Sequence, residues 1–180
     1  MKEIEVKARI ADKAALLQKL EELGCHLSEP VSQKDRVFVP NGAPLPVPNG
    51  TNVLRIREQG GKIIFTLKQP LTNQLDCIER ELAIDDAEAM ADIFGLLGFW
   101  ESARVNKLRR KGKHQDLEIC VDEVDELGSF IEVEKLAESA DSAEVQDELF
   151  GFLKTLGVGE EDRVHDGYDI LMYKLKNSQT

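Results

Sequence analysis

The stretch whose reading decides the fold lies at the start of the chain: Glu3-Ile4-Glu5-Val6-Lys7, two acids and a base alternating strictly with apolar residues. On a β-strand successive side chains point to opposite faces, so Glu3, Glu5 and Lys7 share one face and Ile4, Val6 and Ala8 the other. Taken alone, this describes a strand with one wet face. The phrase returns, however: EIEVKARI precedes a first helical segment, CIERELAI a second and FIEVEKLA a third. The first helix follows Asp12, with Leu16, Leu17, Leu20 and Leu23 at helical spacing and a stop at Gly24. The second follows Asp85, with Met90, Ile93, Phe94 and Leu97 predicted inward and Gly98 at its end. The third starts near Ser142 and carries the stripe Val145, Leu149, Phe152 and Leu156. Three charged strands leading into helices imply an internal repeat or a shared demand for carboxylates at equivalent places.

Other segments alternate too. Arg55 and Arg57 share a face, as do Thr66 and Lys68, then Lys107, Arg109, Lys111 and Lys113; Glu118, Cys120 and Asp122 oppose Leu117, Ile119 and Val121. Turns are expected at Glu58 to Gly61, Gly112 to His114 and Glu126 to Ser129. PNGAPLPVPNG, from Pro40 to Gly50, reads as a long mobile loop, either a tolerated insertion or a lid. The expected architecture is α+β: about eight antiparallel strands, curled into a closed barrel, with two or three helices packed outside.

Composition bounds the function. With 180 residues, 42% of them hydrophobic and 32% charged, the chain is expected to form a single domain over residues 1–176, with 177–180 as a flexible tail. No apolar run approaches the roughly 18 to 20 residues of a membrane span, and a signal-peptide core is lacking, so a cytoplasmic location is expected. Cys25, Cys77 and Cys120 form no CxxC pair and the three histidines are scattered, which argues against zinc and disulfide frameworks. A net charge of −11 argues against nucleic acid as partner. A local basic pocket is still allowed, because arrangement and not the total sets the field.

The charged faces are segregated by strand. Acids gather at Glu3 and Glu5, at Glu79 and Glu81, and at Asp122, Glu132 and Glu134; bases gather at Arg55, Arg57 and Lys68 and at Lys107 and Arg109. Neighbouring carboxylates repel by roughly 1 kcal/mol at 4 Å in water and more where water is scarce, so they call for cations. Basic strands call for a multiply charged anion. A polyphosphate carrying Mg2+ or Mn2+ meets both needs, since these hard ions bind through a few carboxylates plus phosphate oxygens. No GxxxxGK[ST] loop is present, which leaves phosphate capture to side chains.

These residues resemble the CYTH superfamily of class IV adenylyl cyclases and thiamine triphosphatases, also called triphosphate tunnel metalloenzymes. The ExExK signature is matched by Glu3, Glu5 and Lys7. The likeness continues through Gln33-Lys34-Asp35, Leu54-Arg55-Ile56-Arg57, Phe65-Thr66-Leu67-Lys68, Glu79-Arg80-Glu81, Lys107-Leu108-Arg109, LEICVDEVDELGSFIEVE and Gly167-Tyr168-Asp169-Ile170-Leu171. The resemblance implies an eight-stranded tunnel that takes a triphosphate and two divalent ions. It implies metal ligation by Glu5 and Glu134, with Glu3 and Glu132 among their supports. It implies a triphosphate cradle of Lys7, Arg55, Arg57, Lys68, Lys107 and Arg109, and catalytic candidates Asp122, Glu79 and Glu81. Two departures stand out: Lys111-Gly112-Lys113 where the family often has an aromatic, and Gly167-Tyr168 in place of a Ser-Tyr pair.

The expected activity is that of a class IV adenylyl cyclase, converting ATP to cyclic AMP and pyrophosphate, because DEVDELGSFIEVE resembles that branch most closely. Hydrolysis of inorganic, thiamine or nucleoside triphosphate is the first alternative. A non-catalytic polyphosphate or nucleotide binder is the second. The expected partner is the triphosphate substrate; a homodimer is left open.

Overall fold

The computed structural model describes residues 2–137 and 141–178. In chain order the elements are β1 (Lys2–Arg9), α1 (Lys13–Glu22), β2 (Val31–Pro40), β3 (Val53–Gln59), β4 (Lys62–Pro70), β5 (Asp76–Ile84), α2 (Ala87–Leu96), β6 (Phe99–His114), β7 (Leu117–Val124), β8 (Gly128–Ala137), α3 (Ser142–Thr155), β9 (Arg163–Val164) and α4 (Tyr168–Asn177). The strand order is β5-β4-β3-β2-β6-β7-β8-β1-β9, and an additional pairing of β5 with β1 makes β1 to β8 a closed antiparallel barrel. Among the described residues no helix is long and apolar enough to cross a membrane.

Residue proximity divides the chain into two compact units: Met1–Val31 with Leu108–His165, and Ser32–Lys107 with Asp166–Thr180. In the first unit, the apolar half of the alternation in β1, β7 and β8 supplies Ile4, Val6, Ile119, Val121, Ile131 and Val133 to one core. Leu16 and Leu20 of α1 and Leu149, Phe150 and Leu153 of α3 join it. Each such side chain contributes roughly 1.5–3 kcal/mol when fully buried. Asp12 starts α1 by accepting a hydrogen bond from the Ala15 amide, and Asp141 starts α3 by accepting one from Ala143. Gln146 of α3 donates to the Glu5 carbonyl over 3.0 Å, which ties the helix to the strand that carries the acids.

In the second unit α2 packs on the outer face of its strands, with Phe94 against Phe38 and Phe65 at ring-centre distances of 5.1 and 5.4 Å. The residue that caps α2 is Asp86, one past the expected Asp85. Its inward residues are Ala87 and Phe94, flanked by Met90 and Ala91. Ile93 and Leu97, expected inward, are 47% and 66% exposed beside Leu96. The run IFGLLG has more apolar residues than one helix face can bury, so spacing alone picked the wrong pair.

Three further expectations change. A fourth helix, α4, follows Gly167, which offers no side-chain cap; it runs through Asn177, while 179 and 180 lie outside the described residues. Gly112 to His114 is not a turn, because β6 continues to His114 and reverses at Gln115. Gly112 is required for close approach: a Cβ there would lie 2.8 Å from Cys25 Sγ and 2.9 Å from Leu27 Cδ2. Finally, the Pro40 to Gly50 segment is pinned. Val47 is buried with Val37, Val39 and Val53, Gln74 Nε2 donates to its carbonyl over 2.9 Å, and the Gly50 amide donates to the Pro70 carbonyl over 2.7 Å.

Candidate functional site

In the first unit, strand register stacks like charges. Glu5 lies opposite Glu134, and Glu134 opposite Glu118, so three adjacent strands present three carboxylates in one row. Glu3, one strand step from Glu5, joins them: Glu3, Glu5 and Glu134 each place a carboxylate oxygen within 4.8 Å of the others. Burial, then Glu3, Glu118 and Glu5, push the Glu134 carboxyl up to about 10. Burial and the three neighbouring acids outweigh the cations beside them, Lys7 on Glu5 and Lys111 on Glu118, and favour the protonated form of Glu134. Three hard oxygen donors gathered this closely fit a divalent cation of the Mg2+ or Mn2+ kind.

The next row carries the compensation. Lys7 lies opposite Glu132, and Glu132 opposite Cys120. Lys7 Nζ is 3.3 Å from Glu5 Oε1 and 3.1 Å from Glu132 Oε1. Burial alone would lower the Lys7 pKa; Glu132 and Glu5 outweigh it and raise it. Glu132 also accepts from Arg109, and Arg109 Nε donates to Asp122 Oδ1 over 2.7 Å while its Nη2 reaches Oδ2. Asp122 is fully buried. The result is a continuous series, Asp122, Arg109, Glu132, Lys7, Glu5, ending at the acidic cluster.

The second unit pairs opposite charges instead. Asp35 and Arg57 face each other across β2 and β3 in a bidentate pair, both contacts 2.7 Å. Burial opposes ionisation of Asp35, yet the Arg57 guanidinium, with Arg55 and Lys107, holds its carboxyl well below the usual range. Arg55, Thr66 and Glu81 stand in register across β3, β4 and β5. Arg55 Nη2 donates to Thr66 Oγ1 at 3.0 Å and to Glu81 Oε1 at 2.9 Å, and Thr66 Oγ1 donates to the same Glu81 oxygen at 2.8 Å. Lys68 bridges to Glu79 directly opposite. Burial would raise the Glu79 pKa, but Lys68 and Arg55 override it and hold it low. Arg55 Nε is buried without an acceptor among the described residues. Lys107 is buried with its Nζ 4.7 Å from the centre of the Tyr168 ring, at the start of α4.

The first unit thus brings together Glu3, Glu5, Lys7, Glu132, Glu134, Arg109 and Asp122, and the second brings together Arg55, Arg57, Lys68, Glu79 and Glu81, with Lys107 against Tyr168. Glu132 lies outside the three-acid cluster, between two cations. Sequence reasoning assigned no role to Asp35, Thr66, Glu118 or Tyr168. Asp35 was within reach of it, since Gln33, Asp35 and Val37 alternate with the two cations Lys34 and Arg36. Glu118 had been placed on the face of Asp122 but is identified as a neighbour of Glu134 only by register.

The antiparallel barrel thus carries clustered carboxylates on some strands and paired cations on others. The chain belongs to the CYTH domain family, whose model matches residues 1–168. It is 32% identical over 171 residues to a Methanocaldococcus jannaschii protein named provisionally as an adenylate cyclase, covering 93% of this chain and 97% of that one. Its fold is similar to that of a conserved hypothetical protein of Pyrococcus furiosus, with a TM-score of 0.78, 26% identity and coverage of 94% and 99% of the two chains. It is also similar in fold to a Hippeastrum protein described as an adenylyl cyclase candidate with a dominant triphosphatase activity, at a TM-score of 0.57, 21% identity and coverage of 93% and 91%.

Proposed function

We propose that the protein is a divalent-metal-dependent enzyme acting on a triphosphate, and that its reaction is cyclisation of ATP to cyclic AMP and pyrophosphate. The observation that carries this reading is the Glu3, Glu5 and Glu134 cluster in a chain related to a protein provisionally named an adenylate cyclase. Glu3, Glu5 and Glu134 would hold Mg2+ or Mn2+, with Glu118 beside them; two ions are expected with substrate bound. When bound, such ions supply charge stabilisation to phosphoryl oxygens.

The chain's own residues do the rest. Lys7, Arg55, Arg57, Lys68, Lys107 and Arg109 bind the triphosphate oxygens, and the buried Arg55 Nε, lacking an acceptor among the described residues, fits an anionic oxygen. Asp35 and Asp122 act as positioning residues, each fixing one guanidinium fork, of Arg57 and Arg109 respectively. Glu132 keeps Lys7 and Arg109 in register. Glu79 orients Lys68, and Glu81 orients Arg55 through a contact shared with Thr66. In the reaction the ribose 3′ oxygen bonds to the α-phosphorus, the bond from that phosphorus to the bridging oxygen breaks, and pyrophosphate leaves with the electron pair. The hydroxyl proton passes to solvent.

The test is incubation with ATP, inorganic triphosphate and thiamine triphosphate, with Mg2+ and then Mn2+, followed by separation of products. Cyclic AMP with pyrophosphate is expected from ATP. Orthophosphate with ADP, or with pyrophosphate from inorganic triphosphate, replaces cyclisation by hydrolysis. Tight binding without product in every condition replaces the enzyme by a binder.

A further inference from the structure

The buried polar face of the second unit does not stop at Asp35 and Arg57. One strand step further along, Gln33 of β2 lies opposite Gln59 of β3. Gln33 is only 3% exposed, and its Nε2 donates to Gln59 Oε1 over 2.7 Å. That bond fixes the amide so that Gln33 Oε1 is left buried with no donor among the described residues. A buried carbonyl oxygen without a donor is unfavourable, so the position favours a ligand that brings an N–H. The protein's guanidinium donors nearby are already turned to Asp35 and Thr66.

The location says which part of a ligand this is. Successive residues on one strand face are about 6.6–6.8 Å apart, so Gln33 lies one such step from Asp35, whose cross-strand partner Arg57 is proposed to bind phosphate. The triphosphate offers only acceptors. The donor must therefore sit on the organic part of the substrate. We propose that Gln33, oriented by Gln59, is a specificity-determining residue that accepts a hydrogen bond from an exocyclic amino group on the base of the substrate. Adenine carries such a group; hypoxanthine, with a keto oxygen in its place, does not. This rests on the triphosphate reading given above and assigns the residue that selects the adenine base within it.

The experiment compares equilibrium binding of ATP, ITP and inorganic triphosphate, each with Mg2+, to wild type and Gln33→Met, a swap that keeps length and removes both polar atoms. Wild type is expected to bind ATP about tenfold more tightly than ITP, a comparison that needs no variant to fold. Gln33→Met is expected to abolish that ratio and leave the Kd for inorganic triphosphate unchanged. Equal wild-type affinity for ATP and ITP overturns the proposal, as does a preference for ITP, which would turn the amide pair the other way. So does a variant that weakens all three ligands alike. In each of these failures inorganic triphosphate still binds wild type; if none of the three binds, the triphosphate reading has failed and takes this inference with it.

Discussion

The acidic cluster of the first unit and the ion pairs of the second treat their carboxylates in opposite ways. In the first, Glu5, Glu134 and Glu118 stack in one cross-strand row with Glu3 beside them, and Glu134 is pushed up to about 10. In the second, Asp35, Glu79 and Glu81 each meet a cation, and Asp35 and Glu79 are held below their ordinary values. Both contain buried acids on alternating strands. The difference teaches that acid content alone does not point to a metal site; carboxylates crowded together beyond what Lys7 and Lys111 offset do. A satisfied ion pair is a structural device, while a row of mutually repelling carboxylates is unfavourable unless a cation joins it.

The comparison breaks most sharply at the acidic row. Glu5→Gln and Glu134→Gln are expected to lower metal-dependent kcat by about 10³-fold, several kcal/mol of charge stabilisation, with an unchanged circular dichroism spectrum. Wild-type rates in both variants would remove the row from the site. Next comes the matched side. Asp35→Asn strands a buried guanidinium and is expected to cost about 3–5 kcal/mol in denaturant unfolding. Because the folded pKa of Asp35 is depressed, its contribution is full above the unfolded value and fades as pH falls below about 4. The unfolding midpoint of wild type should therefore drop between pH 6 and pH 3 more steeply than that of Asp35→Asn, and parallel curves would contradict the pairing.

Lys68→Ala should raise KM about tenfold with little change in kcat, as expected of a residue proposed to bind phosphate and not metal. A fall in kcat alone would give Lys68 a role in the chemical step. The smallest effect is the most diagnostic for the contrast itself. Without metal at pH 7, Glu134→Gln should raise Tm by about 2–4 °C by removing the cost of protonating Glu134 on folding, whereas Glu79→Gln should lower it by about as much. Shifts of the same sign would erase the distinction between the units.

Much of the fold could be read in the chain because its signals are local. Alternation in Glu3 to Lys7 and in Leu117 to Asp122 places strands, Asp12 and the neighbourhood of Ser142 mark helix starts, and Gly60-Gly61 closes the hairpin between β3 and β4. What failed depended on partners distant in sequence. Gly112 looks like a turn residue until Cys25 and Leu27 are seen against it, and Ile93 is indistinguishable from Phe94 until β2 and β4 supply rings for only one of them. The same holds for the site. Spacing picks out Glu132 and Glu134 equally; only register puts one between Lys7 and Arg109 and the other among carboxylates.

The close approach at Gly112 leads to a practical end. Cys25 is 1% exposed beneath that strand, Cys120 is fully buried in the same unit, and Cys77 is 6% exposed in the other. None can meet an alkylating reagent without local opening. The three thiols are thus native clocks: the order in which a small maleimide or iodoacetamide labels them, read residue by residue by mass spectrometry, times the opening of each unit without any introduced probe.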